Sequence, residues 1–409
     1  MMLQIKPILS ALRRHKAGAV LIALQTALTL AIVCNALFII QQRVAHLSAP
    51  SGVDEANLLV IENNWADKLS KEDADAQQRA DLLALRQTPG VLDAVPSNAY
   101  PMRGGGWDQF ITLTPDQTTA TGDSAVYLGD EHFLGTLGVK LIAGRNFRPD
   151  EVRIIASRES VMPPVTIVTK ALADKLFPDG SALGKPIYAM SSTPTVIIGI
   201  VDMLQTQSVG DWQMRHAYQS LIWPLRIVGN SYYIVRAKPG QLAAVRQAAV
   251  KALYAQNRMR IINDDGVLDF PQIRQKVYDS DHGMAVLMGI ICVVLLAITA
   301  AGIVGLTSFW VGQRRKQIGV RRALGATKRD ILSYFLTENL LIGVAGVVIG
   351  AALAFGMNLW LVIHFEMARL SSAYVLAGIV LLLLLGQGAV LAPAVRASRV
   401  SPVEATRSV

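Results

Sequence analysis

Six histidines, His15, His46, His132, His216, His282 and His364, are spread along the chain, and no two share the spacing that sets a pair of imidazoles around a catalytic zinc. Asp279, Asp281 and His282 lie close together where a polar stretch runs into an apolar one, which reads as a solvated helix end. The run GSALGK at 180–185 has one residue too few between its glycines to cradle phosphate, and Pro186 stands where a Ser or Thr would hold magnesium. Gly104 to Gly106, ahead of Trp107, lack the strand and helix of a nucleotide site and read as a loop. Cys34 and Cys292 both fall in apolar runs, which leaves the polar part of the chain without disulfide or thiol chemistry. These residue types point to no catalytic site, no metal site and no cofactor held by this chain.

The residues that promise work are basic and small. Residues 313–326 read QRRKQIGVRRALGA: a basic helix carrying Ile318, Ala323 and Leu324 and stopped at Gly325. Thr327 then caps a second helix with Asp330 three residues on, before Ile331 and Leu332 open an apolar run. Within it, Gly319, Ala323, Gly325 and Ala326 allow close approach, Leu324 is an apolar anchor, and Arg321 and Arg322 can set orientation against acidic groups. Two helical pieces at a sharp bend suit docking of a soluble partner. Attraction to anionic lipid would explain the arginines but not the small-residue bend.

Hydropathy and charge define the elements that must hold this segment. The 409 residues are 52% hydrophobic and 17% charged, with a mean hydropathy of +0.37, which is too apolar for an ordinary soluble domain. Apolar runs predict four transmembrane helices at 17–40, 284–311, 331–365 and 373–395. The formal charge of +9 is uneven: +4 in residues 1–16, +6 in 312–330, +2 in the tail 396–409, −2 over 41–283, and −1 at Glu338, a single carboxylate at the edge of the third apolar run, with Glu366 and Arg369 cancelling. By the positive-inside rule both termini and the 312–330 segment are cytoplasmic, and residues 41–283 form one large outer domain. The basic balance is thus a topology signal, and no nucleic-acid partner is expected. Residues 1–16 read as a cytoplasmic amphipathic helix ahead of an uncleaved signal anchor, because the apolar run that follows is too long for a signal peptide.

In the outer domain, LLVIE at 58–62, a helix over 73–86, and strands VLDAV and FITLT give a βαββ pattern. YYIVRAK at 232–238, a helix over 242–256 and MRIIN repeat that grammar. The two halves, 58–117 and 216–265, are complementary pieces of an α+β sandwich with residues 118–215 inserted between them. Residues 266–283 read as a helical stalk. In the spans, Gly346 and Gly350 form GxxxG, and Ala297, Ala301 and Gly305 repeat the four-residue spacing; either a seam within the chain or a subunit interface fits. Gln25, Thr26, Thr29 and Asn35 need polar partners in hydrocarbon and must face protein or a cavity.

The segment GQRRKQIGVRRALGATKRDI resembles the one that closes the second membrane helix in the MacB/FtsX-like family of ABC transporter permeases, where the pattern is E-R-x-x-E-I-G-x-R-x-A-x-G-A. PAVRASRVSPVEATR is similar to the family's C-terminal ending, SALRRHKAGAVLIALQTALTLA to its first-helix entry, and residues 130–147 and 170–187 to its periplasmic core. The resemblance implies an α-helical membrane protein of four transmembrane helices with a large α+β periplasmic domain, made of a split porter-like module and an inserted subdomain. It implies a dimer, with a second permease copy or a sister permease, in the bacterial inner membrane. It makes residues 313–326 the coupling helix seated on a separate ABC ATPase subunit, which binds the ATP and Mg2+ that this chain has no loop to hold. Mechanotransmission to a periplasmic adaptor and an outer-membrane duct would then expel periplasmic cargo, a drug, peptide or siderophore-like molecule. Lipoprotein release and regulation of cell-wall hydrolases are alternatives within the same family. Gln313 and Gln317 replace acidic residues of the pattern and leave the segment more basic.

Overall fold

The computed structural model describes residues 16–157, 159–189, 191–208, 216–365 and 369–399. The helix expected before Lys16 and the tail from 400 onward lie outside them. The chain divides into two compact units, one of Met1–Ser48 with Ser280–Val409 and the other of Ala49–Asp279. Its helices are α1 (Lys16–Leu47), α2 (Lys71–Gln87), α3 (Phe133–Leu137), α4 (Lys170–Leu176), α5 (Leu242–Gln256), α6 (Phe270–Gln313), α7 (Arg315–Ala323), α8 (Lys328–Phe365) and α9 (Ser372–Ser398).

Helices α1, α6, α8 and α9 are long and apolar enough to cross a membrane. Helix α6 starts well before the apolar run at 284, so the polar residues 270–283 continue the same helix. The spans pack through buried side chains of all four helices, in one cluster around Ile22, Ile303, Phe335, Ile342 and Val390 and another around Leu30, Val347, Ala354 and Leu382. Ser371 caps α9 by accepting from the Ala373 N–H at 3.4 Å, and the last backbone groups of the helix turn at Arg399.

The other unit contains the strands β1 (Leu58–Trp65), β2 (Val91–Ser97), β3 (Trp107–Thr112), β4 (Gly122–Leu128), β5 (Leu141–Gly144), β6 (Arg153–Ala156), β7 (Val165–Thr169), β8 (Pro186–Ala189), β9 (Thr195–Val201), β10 (Ser220–Trp223), β11 (Leu225–Val228), β12 (Ser231–Ala237), β13 (Arg260–Ile261) and β14 (Val267–Asp269). A base sheet runs β13-β1-β12-β2, with β14 also on β1. Its pairings are antiparallel. Leu59 and Ile61 alternate inward with Tyr233 and Val235 beneath Leu82, Leu85, Val245 and Leu253 of α2 and α5. Ser70 caps α2, accepting from the Asp73 N–H at 3.0 Å.

A second sheet runs β5-β9-β7-β10-β4-β3-β8, and because β8 also pairs with β9, six of its strands close into a ring. Here the boundaries differ from the sequence reading. Strands β3 and β10, placed in the two outer halves, both pair with β4 inside the ring. The chain leaves the base sheet after Ser97 and returns at Ser231, and Ser97 pairs with Tyr232. The inserted part therefore spans about residues 98–230, wider than 118–215. Pairing partners far apart in sequence decided the boundary, which local alternation does not report.

Candidate functional site

Helix α6 ends at Gln313 and α7 begins at Arg315, so the helical path is interrupted at the single residue Arg314, with φ −93° and ψ 10°. Its backbone still joins the two pieces: the Arg314 N–H donates to Trp310 O at 3.0 Å and the Ile318 N–H to Arg314 O at 2.9 Å. Its guanidinium is turned inward. Nη1 donates to both carboxylate oxygens of Glu338 on α8, at 3.0 and 2.9 Å, and lies 6.0 Å from the Trp310 ring centroid. The arginine side chain is 10% exposed and the glutamate 2%.

One face of α7 is fastened to the membrane helices. Ile318 is buried in the cluster with Trp310, Ile331 and Phe335. Gly319 is buried beside it. Arg321 lies over the Tyr334 ring at 5.0 Å, and Arg322 Nη1 donates to the Ser398 carbonyl at the end of α9 at 2.6 Å. The two arginines expected to orient a partner thus hold contacts inside the chain. Ala323 is exposed, and Leu324 is 82% exposed, the most exposed large apolar residue among those described. Gly325 has φ +98°, the left-handed conformation that ends the helix. The Ala326 N–H donates to Arg321 O at 3.0 Å, and its side chain packs against the cluster. Thr327 and Asp330 cap α8 reciprocally, with Thr327 N–H to Asp330 Oδ2 at 2.8 Å and Asp330 N–H to Thr327 Oγ1 at 3.3 Å. The segment is a braced helix and turn that presents Val320 and Leu324 outward.

The small residues divide into two groups. A Cβ on Gly346 would come within 2.9 Å of Ala23 O, and one on Gly350 within 2.8 Å of Ala27 O, so this pair is the close-packed seam between α8 and α1. Ala301 and Gly305 are exposed, and no atom of the described residues lies within 4 Å of where a Cβ on Gly305 would be. On α6 the tight contact falls instead at Gly302, which meets the Gln25 amide. That amide donates to Ile298 O at 3.1 Å, Thr29 and Thr299 share a hydrogen bond at 2.8 Å, and Asn35 donates to Ala31 O at 2.9 Å and Ala354 O at 3.2 Å. Thr26 is buried against Gly346. The polar residues of α1 are therefore interhelical ties.

The remaining sequence candidates have structural work. Asp281 pairs with Arg43 at 2.8 Å. GSALGK forms the turn between α4 and β8, where Asp179 accepts from the Ser181 N–H and hydroxyl. The Gly104 N–H donates to Gln207 O. His132 Nδ1 lies 2.8 Å from Asp93, which Arg86 also holds at 2.9 Å. Sequence reasoning missed the Arg314–Glu338 pair. Its only signal was a lone carboxylate next to an apolar run, together with the first arginine of a basic cluster at the end of another.

A model of the MacB-like periplasmic core domain matches residues 26–253, more than half of the chain, and a model of the FtsX-like permease C-terminal region matches residues 289–402. The chain belongs to the MacB/FtsX-like family of ABC transporter permeases. Relatives of this permease include a macrolide export ATP-binding/permease protein MacB of Chromobacterium violaceum, 26% identical over 66% of the chain and 42% of that protein. An uncharacterized ABC transporter permease, YvrN of Bacillus subtilis, is 27% identical over 69% of both. The match to the MacB relative thus spans about two fifths of its length. Among solved structures, the periplasmic region of MacB from Actinobacillus actinomycetemcomitans aligns with 57% of the permease and 97% of its own chain, at 14% identity and a TM-score of 0.35.

Proposed function

We propose that this permease is the membrane subunit of an ATP-driven exporter and that α7 with its following turn is where a separate ABC ATPase docks. The observation that carries the reading is Leu324: a large apolar side chain, 82% exposed, at the tip of a helix whose opposite face is anchored. A single exposed leucine is ordinary on a surface, and it is its place at the outward tip of an otherwise anchored helix that suits it to be the apolar anchor of a protein contact. The exposed basic residues Arg315, Lys316 and Arg329 around it suit an acidic groove. In this reading the ATPase binds ATP and Mg2+, and its closure pushes α7. The push moves the membrane helices and then the outer domain, expelling a periplasmic drug, peptide or siderophore-like molecule. A second permease copy or sister permease, a periplasmic adaptor and an outer-membrane duct complete the machine in the bacterial inner membrane, with both termini cytoplasmic. The exposed stripe of Ala297, Ala301 and Gly305 is the dimer face this reading favours.

The test is capture of the ABC ATPase encoded beside the permease gene by detergent-solubilised variants. Leu324→Asp places a charge in a desolvated contact and costs about 2 kcal/mol or more, a roughly 30-fold loss of affinity. Capture at the wild-type level by a monodisperse Leu324→Asp protein would move the docking site elsewhere.

A further inference from the structure

We propose that the Arg314–Glu338 ion pair is a brace that holds α7 at a fixed angle to α8 and so makes the coupling segment a rigid lever of the third membrane helix. The inference rests on the reading above for what pushes the lever, but the brace itself needs no partner.

A helical path broken at one residue is a ready hinge, because a few dihedral angles at the break can absorb a large rotation. Arg314 sits at that break, and its side chain caps neither helix. Its charge is spent across the gap. One nitrogen serves both Glu338 oxygens, and burial of both groups keeps water from competing for either.

The contacts beyond the pair follow the same line. Arg314, Ile318 and Arg321 recur at spacings of four and three, which places them on one face of α7. They meet Glu338, the Ile331 and Phe335 cluster, and Tyr334. Tyr334 and Glu338 are one turn apart on α8. The hold extends to α1, because a Cβ on Gly18 would fall 2.7 Å from the Trp310 indole on which Arg314 rests. At the break itself the ion pair is joined by a long contact from Arg314 Nη1 to the Tyr334 hydroxyl, at 3.5 Å, and by the Trp310 ring, and of these it is the shortest and the charged one.

Nitroxide labels at Val320 and Val348, both exposed, report the angle between α7 and α8 as a spin–spin distance in the full-length protein with Cys34 and Cys292 replaced by Ala. The unaltered pair gives one narrow distance distribution. The double variant Arg314→Gln, Glu338→Gln buries no lone charge, so it keeps the fold while losing the ionic hold, and its distribution widens at least twofold. The swap Arg314→Glu, Glu338→Arg restores the pair and the narrow distribution. A double-glutamine distribution as narrow as the unaltered one, or a swap as broad as the double-glutamine variant, overturns the brace. Both outcomes are independent of whether an ATPase binds Leu324, so the capture experiment can fail while the brace stands.

Discussion

Each unit of the permease buries an arginine on a carboxylate, and the two arginines are held in different ways. In the outer unit Arg260 and Asp81 are both wholly buried. Arg260 donates to Asp81 through Nη1 and Nη2 at 3.1 and 2.7 Å, to Asn63 at 2.9 Å and to the Asn257 carbonyl at 2.8 Å. It lies 4.8 Å from the Trp65 ring centroid, and Tyr233 adds a hydroxyl to Asp81 at 2.8 Å. Nearly every donor is used, inside a sheet and helix layer. Arg314, at a helix break, has one carboxylate served by Nη1, with only a 3.5 Å contact to the Tyr334 hydroxyl and the Trp310 ring 6.0 Å away beside it. A network of that density fixes a core, whereas a single strong contact fixes one angle and can be released by removing one partner. The two arginines thus separate a rigid domain from a joint.

The comparison breaks most visibly at Asp81. Asp81→Asn leaves Arg260 charged and buried with no counter-charge, and unfolding of the outer unit, followed by denaturant titration of the full-length protein, should lose about 3–5 kcal/mol. A loss below 1 kcal/mol would mean that the network is not what holds this core.

A smaller effect sharpens the same contrast among the membrane glycines. Gly350→Leu must push α8 off α1, and thermal stability in detergent should fall by about 1–3 kcal/mol. Gly305→Leu meets nothing among the described residues and should leave that stability unchanged. If Ala301 and Gly305 lie in a dimer seam, the latter variant instead shifts the oligomer peak in size-exclusion chromatography. Equal losses from both substitutions would contradict the division of small residues described above.

The smallest effects are pH-dependent and of opposite sign within the outer unit. Burial pushes the Glu55 carboxyl up, but Arg274, at 2.5 and 2.9 Å from its two oxygens, and the Ser51 hydroxyl bring it below the usual range. Its stabilising contribution is present above the unfolded-state value of about 4.3 and is lost as pH falls through the folded-state value. Burial, with Glu131 beside it, pushes Asp130 above the usual range despite the His132 N–H. Asp130 therefore withdraws stability as pH rises from about 4 through its folded-state value. In melting curves at pH 3.5 and 6.5, Glu55→Gln should lose more stability at the higher pH, and Asp130→Asn should gain more there. Reversed signs would refute both assignments.

The four spans and the basic helix and turn at 315–327 were legible because their signals are local: unbroken apolar runs, a glycine stop, and the Thr327–Asp330 cap. The alternation in LLVIE and YYIVRAK likewise gave β1 and β12. What local pattern did not carry was pairing. FITLT reads as a strand wherever it goes, and only its partners Gly122–Leu128 and Pro186–Ala189 place it in the ring. Arg321 and Arg322 read as charges that orient a partner, whereas the fold brings them to Tyr334 and Ser398, 13 and 76 residues on. Glu338 read as a stray charge for the same reason.

Ser97 and Tyr232 face each other across one rung of the base sheet although the chain between them wanders through a closed ring. An excursion whose ends are already neighbours adds no gap for the base sheet to span, and the entropy of closing it rises only with the logarithm of its length. A short turn would close the same rung more cheaply, but the cost of the longer excursion grows only slowly with each added residue. The excursion is nonetheless fastened to the base layer at a few points, where Gly135 accepts from Arg236, Ile227 from Gln78, and Arg226 pairs with Asp75, so length changes are cheap only in the ring loops between those points.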